Sequence, residues 1–268
     1  MINKINAIVT GGSSGLGEAT ARKILEKGGN VSILDTQEGE AKGLSEEFGE
    51  ACTFFYTDVT NEESINEALT SAISKYQFIN LLVNCAGIGI ASKVIGKEKL
   101  HDSSIFQKII NVNLIGTFNV LKLVAEKMIE NQPDDDNFRG VIINTASIAA
   151  FDGQIGQAAY SASKGGIVSL TLPLAREFAR YGVRVCTIAP GLFETPMMSG
   201  LPEKAYQALV DSTLFPKRLG YPKEFAKLVL SIFENNMLNG EVIRLDGSLR
   251  MSPKSVSYTH LRAHETSR

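Results

Sequence analysis

Histidine and cysteine are scarce in this 268-residue chain, with three of each: His101, His260 and His264, and Cys52, Cys85 and Cys186. None of them shows the close paired spacing that structural zinc sites need, so no metal is expected. The cysteines sit in apolar, strand-like contexts, where a small buried side chain is their ordinary role, and a reducing intracellular compartment suits them. A surplus of one charge is missing too. Lys and Arg total 27 against 29 Asp and Glu, a formal net charge of −2, which leaves no basic excess to drive nucleic-acid binding by counterion release. No run of about 18 apolar residues is read as a bilayer span, and Met1 to Ala7 has no room for the apolar region of a signal peptide before the first strand. The expectation is a soluble chain with no membrane partner. Tryptophan is absent and there are only 8 Pro, while 44% hydrophobic residues, 21% charged residues and 24 Gly are ordinary globular usage.

What is present is an alternation. Apolar segments of strand length, at Ala7–Thr10, Val31–Asp35, Thr53–Asp58, Leu81–Asn84, Val141–Thr145, Arg184–Ala189 and Glu241–Leu245, are separated by helix-period segments. The helix-period segments are Gly15–Glu26, Glu62–Tyr76, Ser104–Glu130, Ala158–Tyr181 and Lys223–Phe233. This pattern predicts an α/β fold, a doubly wound seven-stranded parallel sheet with helices on both faces. No linker interrupts it, so residues 1–253 read as one domain. Residues 254–268 read as a non-native or disordered tail, because Ser257–Arg268 shows neither period and resembles translated vector sequence. Ala91–Asp102 and Asn131–Arg139 read as surface insertions, the first able to shape a substrate mouth, and the acids Asp134 to Asp136 as a solvated loop.

The first strand runs into Gly11, Ser13, Ser14, Gly15, Leu16 and Gly17 and then directly into a helical pattern. Glycines there permit a tight turn and close backbone approach to a pyrophosphate, and the helix N-terminus offers free N–H groups. The spacing is G-x-x-x-G-x-G rather than G-x-G-x-x-G, and no Lys-Ser/Thr pair follows as a P-loop requires. The second strand ends in Asp35, whose carboxylate can accept from an adenosine ribose diol. A 2′-phosphate would meet like charge, and neither Gly12 nor Thr36 supplies an offsetting Arg. NAD is the expected cofactor.

Further along, Tyr160 and Lys164 stand four residues apart, on one face of a predicted helix. An ammonium close to a phenol lowers its pKa, so Lys164 is expected to bring Tyr160 towards a pH at which it can take a proton. Ser147, just past the fifth strand, would lie at the carboxyl edge of the sheet, where a hydroxyl can bond a substrate oxygen. Gln154 and Gln157, immediately before Tyr160, could line the substrate mouth.

At these residues the chain resembles the short-chain dehydrogenase/reductase family from Ile5 to about Met251, which implies a Rossmann fold. Thr10 to Gly17 looks like the family's cofactor turn, Asp58 and Val59 like its adenine-contacting pair, and Asn84, Cys85, Ala86 and Gly87 like its N-N-A-G motif with Cys in second place. By the same resemblance Asn113, Ser147, Tyr160 and Lys164 are the catalytic residues, with Asn113 supporting a water. Pro190, Gly191, Phe193 and Thr195 match the segment that holds the nicotinamide. Segments such as Gly140–Ser147 and Gly153–Gly166 are similar to the subgroup that oxidises 3-hydroxyacyl-CoA thioesters, and hydroxysteroids as well. The resemblance implies NAD-dependent oxidation of a secondary alcohol in fatty acid metabolism, with Tyr160 as general base and Ser147, Gln157 and Tyr160 touching the substrate. It also implies a homotetramer. Two alternatives remain: a 3-oxoacyl-carrier-protein reductase, disfavoured by Asp35, and a non-catalytic NAD-binding scaffold, disfavoured by the intact Ser147, Tyr160 and Lys164. The expected location is the cytoplasm, with the mitochondrial matrix as the alternative.

Overall fold

Strand β1 (Asn6–Thr10) is buried at all five residues, as a central strand covered on both faces must be. In the computed structural model, which describes residues 4–97, 99–199 and 202–253, it is followed by α1 (Gly15–Glu26), β2 (Asn30–Asp35), α2 (Ala41–Phe48), β3 (Cys52–Tyr56), α3 (Glu62–Tyr76) and β4 (Leu81–Asn84). Next come α4 (Ser103–Ile110), a π-helical turn at Asn111–Gly116, α5 (Thr117–Met128), β5 (Gly140–Thr145), α6 (Ala158–Phe178) and β6 (Val183–Pro190). The series ends with the short α7 (Pro196–Ser199), α8 (Glu203–Ser212), α9 (Pro222–Glu234) and β7 (Val242–Leu245). All seven strands pair in parallel in the order β3-β2-β1-β4-β5-β6-β7, so the doubly wound sheet expected from the alternation is what forms.

The period-two alternation of strand side chains divides the core into two layers. Ala7 and Val9, Val31 and Ile33, Leu81 and Val83, Val141 and Ile143 point to one face, where they meet Ala21 and Ile24 of α1 and Phe225 and Val229 of α9. Ile8, Leu34, Leu82 and Ile142 point to the other and meet Ile65 and Leu69 of α3 and Val120, Leu121 and Val124 of α5. Each fully buried Ile or Leu contributes roughly 1.5–3 kcal/mol, so two continuous layers supply most of what holds the helices to the sheet. Helix starts are set by named caps. Asn61 accepts from the Glu63 and Ser64 amides at α3, and Asp102 from the Ser104 amide at α4. At α9, Pro222 occupies the first turn and Glu224 accepts from the Tyr221 amide while Arg218 holds it with two 2.8 Å bonds, which drive the Glu224 carboxyl down to about 2.

The strand and long-helix predictions match to within three residues. Helix α2, with only Ala41 and Leu44 buried, and α8, with only Ala205, escaped because so few apolar contacts leave almost no period to read. The sequence reading of no bilayer-length apolar run needs correction: the continuous helix Ser103–Met128 is 26 residues long and contains an 18-residue window of mean hydropathy 1.3, enough to cross a bilayer by length and composition alone. Half of that apolar window is buried within the fold, where α5 packs on β4 and β5. In the 131–139 loop, Asp134 is more than solvated, because its carboxylate accepts from the Asp136 and Phe138 amides at 2.9 Å and shapes the turn. The predicted tail 254–268 lies outside the described residues.

Candidate active site

Crossovers leaving β1 run towards β2 and β3, and those leaving β4 run towards β5, β6 and β7. The sheet therefore opens a crevice at the carboxyl ends of β1 and β4, where open α/β sheets bind ligands. A cavity of about 730 Å³ occupies it. Its floor is the turn after β1. A Cβ at Gly11, which has φ +63, would stand 2.7 Å from the Ala86 amide nitrogen, and one at Gly17 would stand 2.1 Å from the Gly11 carbonyl oxygen. Only glycine lets α1 press its N-terminus this close to the turn, and no side chain caps that N-terminus. Ser14, Gly15 and Leu16 line the cavity beside Gly11 and Gly17. Ser13 does not. It is buried, its amide donates to Asp35 Oδ2 at 3.2 Å, and its hydroxyl has no partner. A substituent-free cradle, an uncapped helix N-terminus and a carboxylate at the end of β2 fit the pyrophosphate and ribose of a nicotinamide dinucleotide.

Asp58 and Val59, the pair expected to meet the adenine, line another part of the cavity. The Asp58 carboxylate accepts from both the amide and the hydroxyl of Thr60, and Val59 packs so closely on Gly116 that a Cβ there would lie 2.6 Å from its methyl. Cys85, Ala86 and Gly87 line the opposite wall, but Asn84 stands behind it. Its amide donates to Asn144 Oδ1 at 2.9 Å and its oxygen accepts from Thr10, whose hydroxyl in turn accepts from the Cys85 and Ala86 amides. Asn84 thus shapes the wall without reaching the cavity. Cys85 is half-buried, and burial pushes its thiol up to about 11.

Ser147, Tyr160 and Lys164 converge at the far end. Ser147 lies just beyond β5 in extended backbone, its hydroxyl accepts from the Ala149 amide, and it lines the same cavity as Tyr160. Lys164 is 5% exposed, donates to the Thr145 carbonyl at 2.8 Å, and places Nζ 5.8 Å from the Tyr160 ring centroid. The expected electrostatics are corrected here. Burial raises the Tyr160 phenol, with only the nearby Ser147 hydroxyl opposing it, and burial lowers the Lys164 ammonium to about 8. Removing both groups from water outweighs any help the ammonium gives the phenol.

Asn113 sits on the π-helical turn with both amide protons committed, to the Ile88 carbonyl at 2.9 Å and Ser163 Oγ at 3.1 Å, while Oδ1 accepts from the Ile88 amide at 2.8 Å. It pins the loop after β4 and does not face the cavity. Pro190, Gly191, Phe193 and Thr195 line it from the β6 side. A Cβ on Gly220 would overlap the Phe193 ring, so the two segments fix each other. Gln157 lines the mouth, whereas the Gln154 side chain turns away to the Ser252 carbonyl. Sequence reasoning missed Thr145, whose carbonyl holds Lys164, and the apolar lining from Ile90, Ile148, Leu192, Met198 and Met251. These are isolated apolar residues scattered over the segments that follow β4, β5, β6 and β7, and they carry no pattern.

Comparison with known proteins agrees with this geometry. Residues 5–205 match the family model described as short chain dehydrogenase. The chain is 53% identical over 249 residues to the 3-hydroxyacyl-CoA dehydrogenase type-2 of Bos taurus, covering 92% of this chain and 95% of that protein. A 3-oxoacyl-[acyl-carrier-protein] reductase of Thermotoga maritima is 34% identical over 251 residues, covering 90% and 96%. Among solved structures, 3-hydroxyacyl-CoA dehydrogenase type-2 from Mycobacterium avium superposes with a TM-score of 0.89 at 40% identity, covering 92% of this chain and 96% of that one.

Proposed function

The chain belongs to the short-chain dehydrogenase family, an oxidoreductase that takes a nicotinamide cofactor and a small-molecule substrate, and from that premise we propose that it oxidises 3-hydroxyacyl-CoA thioesters to 3-oxoacyl-CoA with NAD. The observation that carries the chemistry is the convergence of Ser147, Tyr160 and a buried, anchored Lys164 on one cavity. Identity of 53% to an enzyme named for that substrate, against 34% to the carrier-protein reductase, carries the substrate class.

Gly11, Gly15 and Gly17 hold the pyrophosphate, Asp35 the adenosine ribose, Asp58 and Val59 the adenine, and Phe193 and Thr195 the carboxamide end. When bound, the nicotinamide supplies the hydride acceptor. Ser147 fixes the substrate hydroxyl by hydrogen bonding, and Tyr160 removes its proton. Lys164, anchored on the Thr145 carbonyl, stands beneath Gly87, where it can reach a ribose, and its ammonium opposes the charge that develops on the phenol. Asn113 acts as a positioning residue, through Ile88 and Ser163. The expected homotetramer is supported by Phe106, Ile115 and Phe118, apolar side chains that the Ser103–Met128 helix leaves exposed and that a second copy of the chain can cover.

The test is steady-state kinetics with NAD and NADP against 3-hydroxybutyryl-CoA, a branched 3-hydroxyacyl-CoA, a hydroxysteroid and a carrier-protein thioester. NAD-dependent turnover of the CoA thioesters is expected. Turnover of the carrier-protein thioester alone, with NADPH, overturns the proposal.

A further inference from the structure

Three segments far apart in sequence meet at the mouth of the cavity, and main-chain hydrogen bonds stitch them together. The loop that precedes Tyr160 is the middle one. On one side its Gly156 carbonyl accepts from the Ser92 amide at 2.8 Å, which ties it to the insertion after β4. On the other its Ile155 amide donates to the Pro253 carbonyl at 2.9 Å, and the Gln154 side-chain amide donates to the Ser252 carbonyl at 2.9 Å, which ties it to the segment following β7. Inside the middle loop, Gln157 Oε1 accepts from the Gln154 amide at 3.0 Å, so Gln157 cannot swing without disturbing the residue that holds Ser252. A cation anchors the base of this assembly: Arg244 of β7 bonds Asp152 at 2.6 Å and Asp246 at 2.7 Å.

Each stitched segment sends one neutral side chain into the cavity that Tyr160 lines: Ala91, Gln157 and Met251. We infer that Ala91, Gln157 and Met251 form a substrate-size filter, with Gln154 as the positioning residue that sets the gap between Gln157 and Met251. The inference deepens the reading of this cavity as the seat of a secondary alcohol and rests on it. A small alanine and an unbranched, adaptable thioether lining the same cavity leave room for an alkyl substituent of limited bulk, and methionine can conform to more than one such shape. The filter is held by three hydrogen bonds between its segments and one within the middle loop, so its width is a property of the stitching and not of any one loop.

Two substitutions at the wall and one at the stitch test this. Met251→Ala removes the thioether, and the ratio of kcat/KM for a bulky over a small substrate should rise roughly tenfold, the scale of a methylene or two in an apolar pocket. Met251→Phe should lower the same ratio. Gln154→Leu keeps the volume but cannot donate to Ser252, so KM for the substrate should rise about fivefold while kcat for the smallest substrate changes less. The panel should contain 3-hydroxyacyl-CoA thioesters and CoA-free secondary alcohols, each graded in size, together with thermal shifts of the NADH-saturated enzyme by the matching ketones. If only the free alcohols react, the acyl-CoA reading falls while the size ratio within that class still judges the filter. Ratios that move by less than about twofold in turnover and in ketone binding overturn it. Hydrogen exchange adds a readout independent of catalysis. The Ile155 amide should exchange faster when residues 251–268 are deleted than when only 254–268 are, and equal rates also overturn the inference.

Discussion

The nucleotide end and the substrate end of the same cavity are built on different principles. At the nucleotide end, Gly11 to Gly17 and Asp35 come from one βα unit and its next strand, joined by the Ser13 amide bond to Asp35, and recognition uses backbone and one carboxylate. At the substrate end, side chains arrive from the loops after β4, β5, β6 and β7 and are held by bonds between loops. Local spacing writes the first end, and tertiary assembly writes the second.

Tyr160→Phe is the largest way to separate the two ends. It keeps the ring and deletes the proton carrier, so kcat should drop by roughly 10²–10⁴-fold. The NAD-induced thermal shift should persist. Loss of both together would show that the ends are not independent. Because burial raises the phenol, wild-type oxidation should also quicken as pH rises through the alkaline range, and a flat profile would contradict the role given to Tyr160.

Gly17→Ala attacks the other end. The new Cβ would meet the Gly11 carbonyl at 2.1 Å, backbone against backbone with nothing flexible to yield. Overpacking of this kind costs about 1–3 kcal/mol, and α1 must shift, so the NAD-induced thermal shift should vanish. Gly43→Ala is the contrast: a Cβ on Gly43 in α2 meets nothing, and replacing a mid-helix glycine should raise stability by about 0.5–1 kcal/mol. Equal effects at Gly17 and Gly43 would remove the packing argument.

This division also explains what was legible in the sequence. The seven strands, the two long crossover helices and the Gly11–Gly17 turn showed because strand alternation and helical period repeat within a few residues. Ser147, Tyr160 and Lys164 showed through their spacing and the family they resemble. The sign of the Tyr160 shift did not, since it depends on how deeply the sheet edge buries the phenol, and neither did the outward turn of Gln154, the commitment of Asn113 to Ile88 or the arrival of Met251. Each of these is decided by a partner dozens of residues away.

Between the ends lies Lys164, whose burial can be weighed by pH. Its folded value of about 8 lies below the ordinary 10.5, so between those values the unfolded chain carries the proton and the folded chain does not. Stability linked to Lys164 therefore rises with pH over that window, and the full penalty applies below about pH 8, at most roughly 3 kcal/mol. Denaturation of wild type and Lys164→Met should diverge accordingly: the advantage of the methionine variant should be greatest near neutrality and shrink towards pH 10. A constant difference across that range would mean that Lys164 keeps its ordinary proton affinity in the fold.

Asp35 gives the finest discrimination. Its carboxylate does two jobs, accepting from the Ser13 amide at 3.2 Å and the Gln37 amide at 3.3 Å, and facing the cavity where a ribose diol would donate. Asp35→Ala loses both. A hydrogen bond to a charged group is worth about 1.5–3 kcal/mol, so KM for NAD should rise roughly 10–100-fold, with a small fall in melting temperature from the released turn. Asp35→Asn retains an acceptor for Ser13 and should recover most of the melting temperature but little of the NAD affinity. NADP should be affected in the opposite sense by both variants, because each removes the charge that faces its 2′-phosphate. If NAD and NADP weakened equally, Asp35 would be a turn residue alone, and the nucleotide end would owe its selectivity to something other than the end of β2.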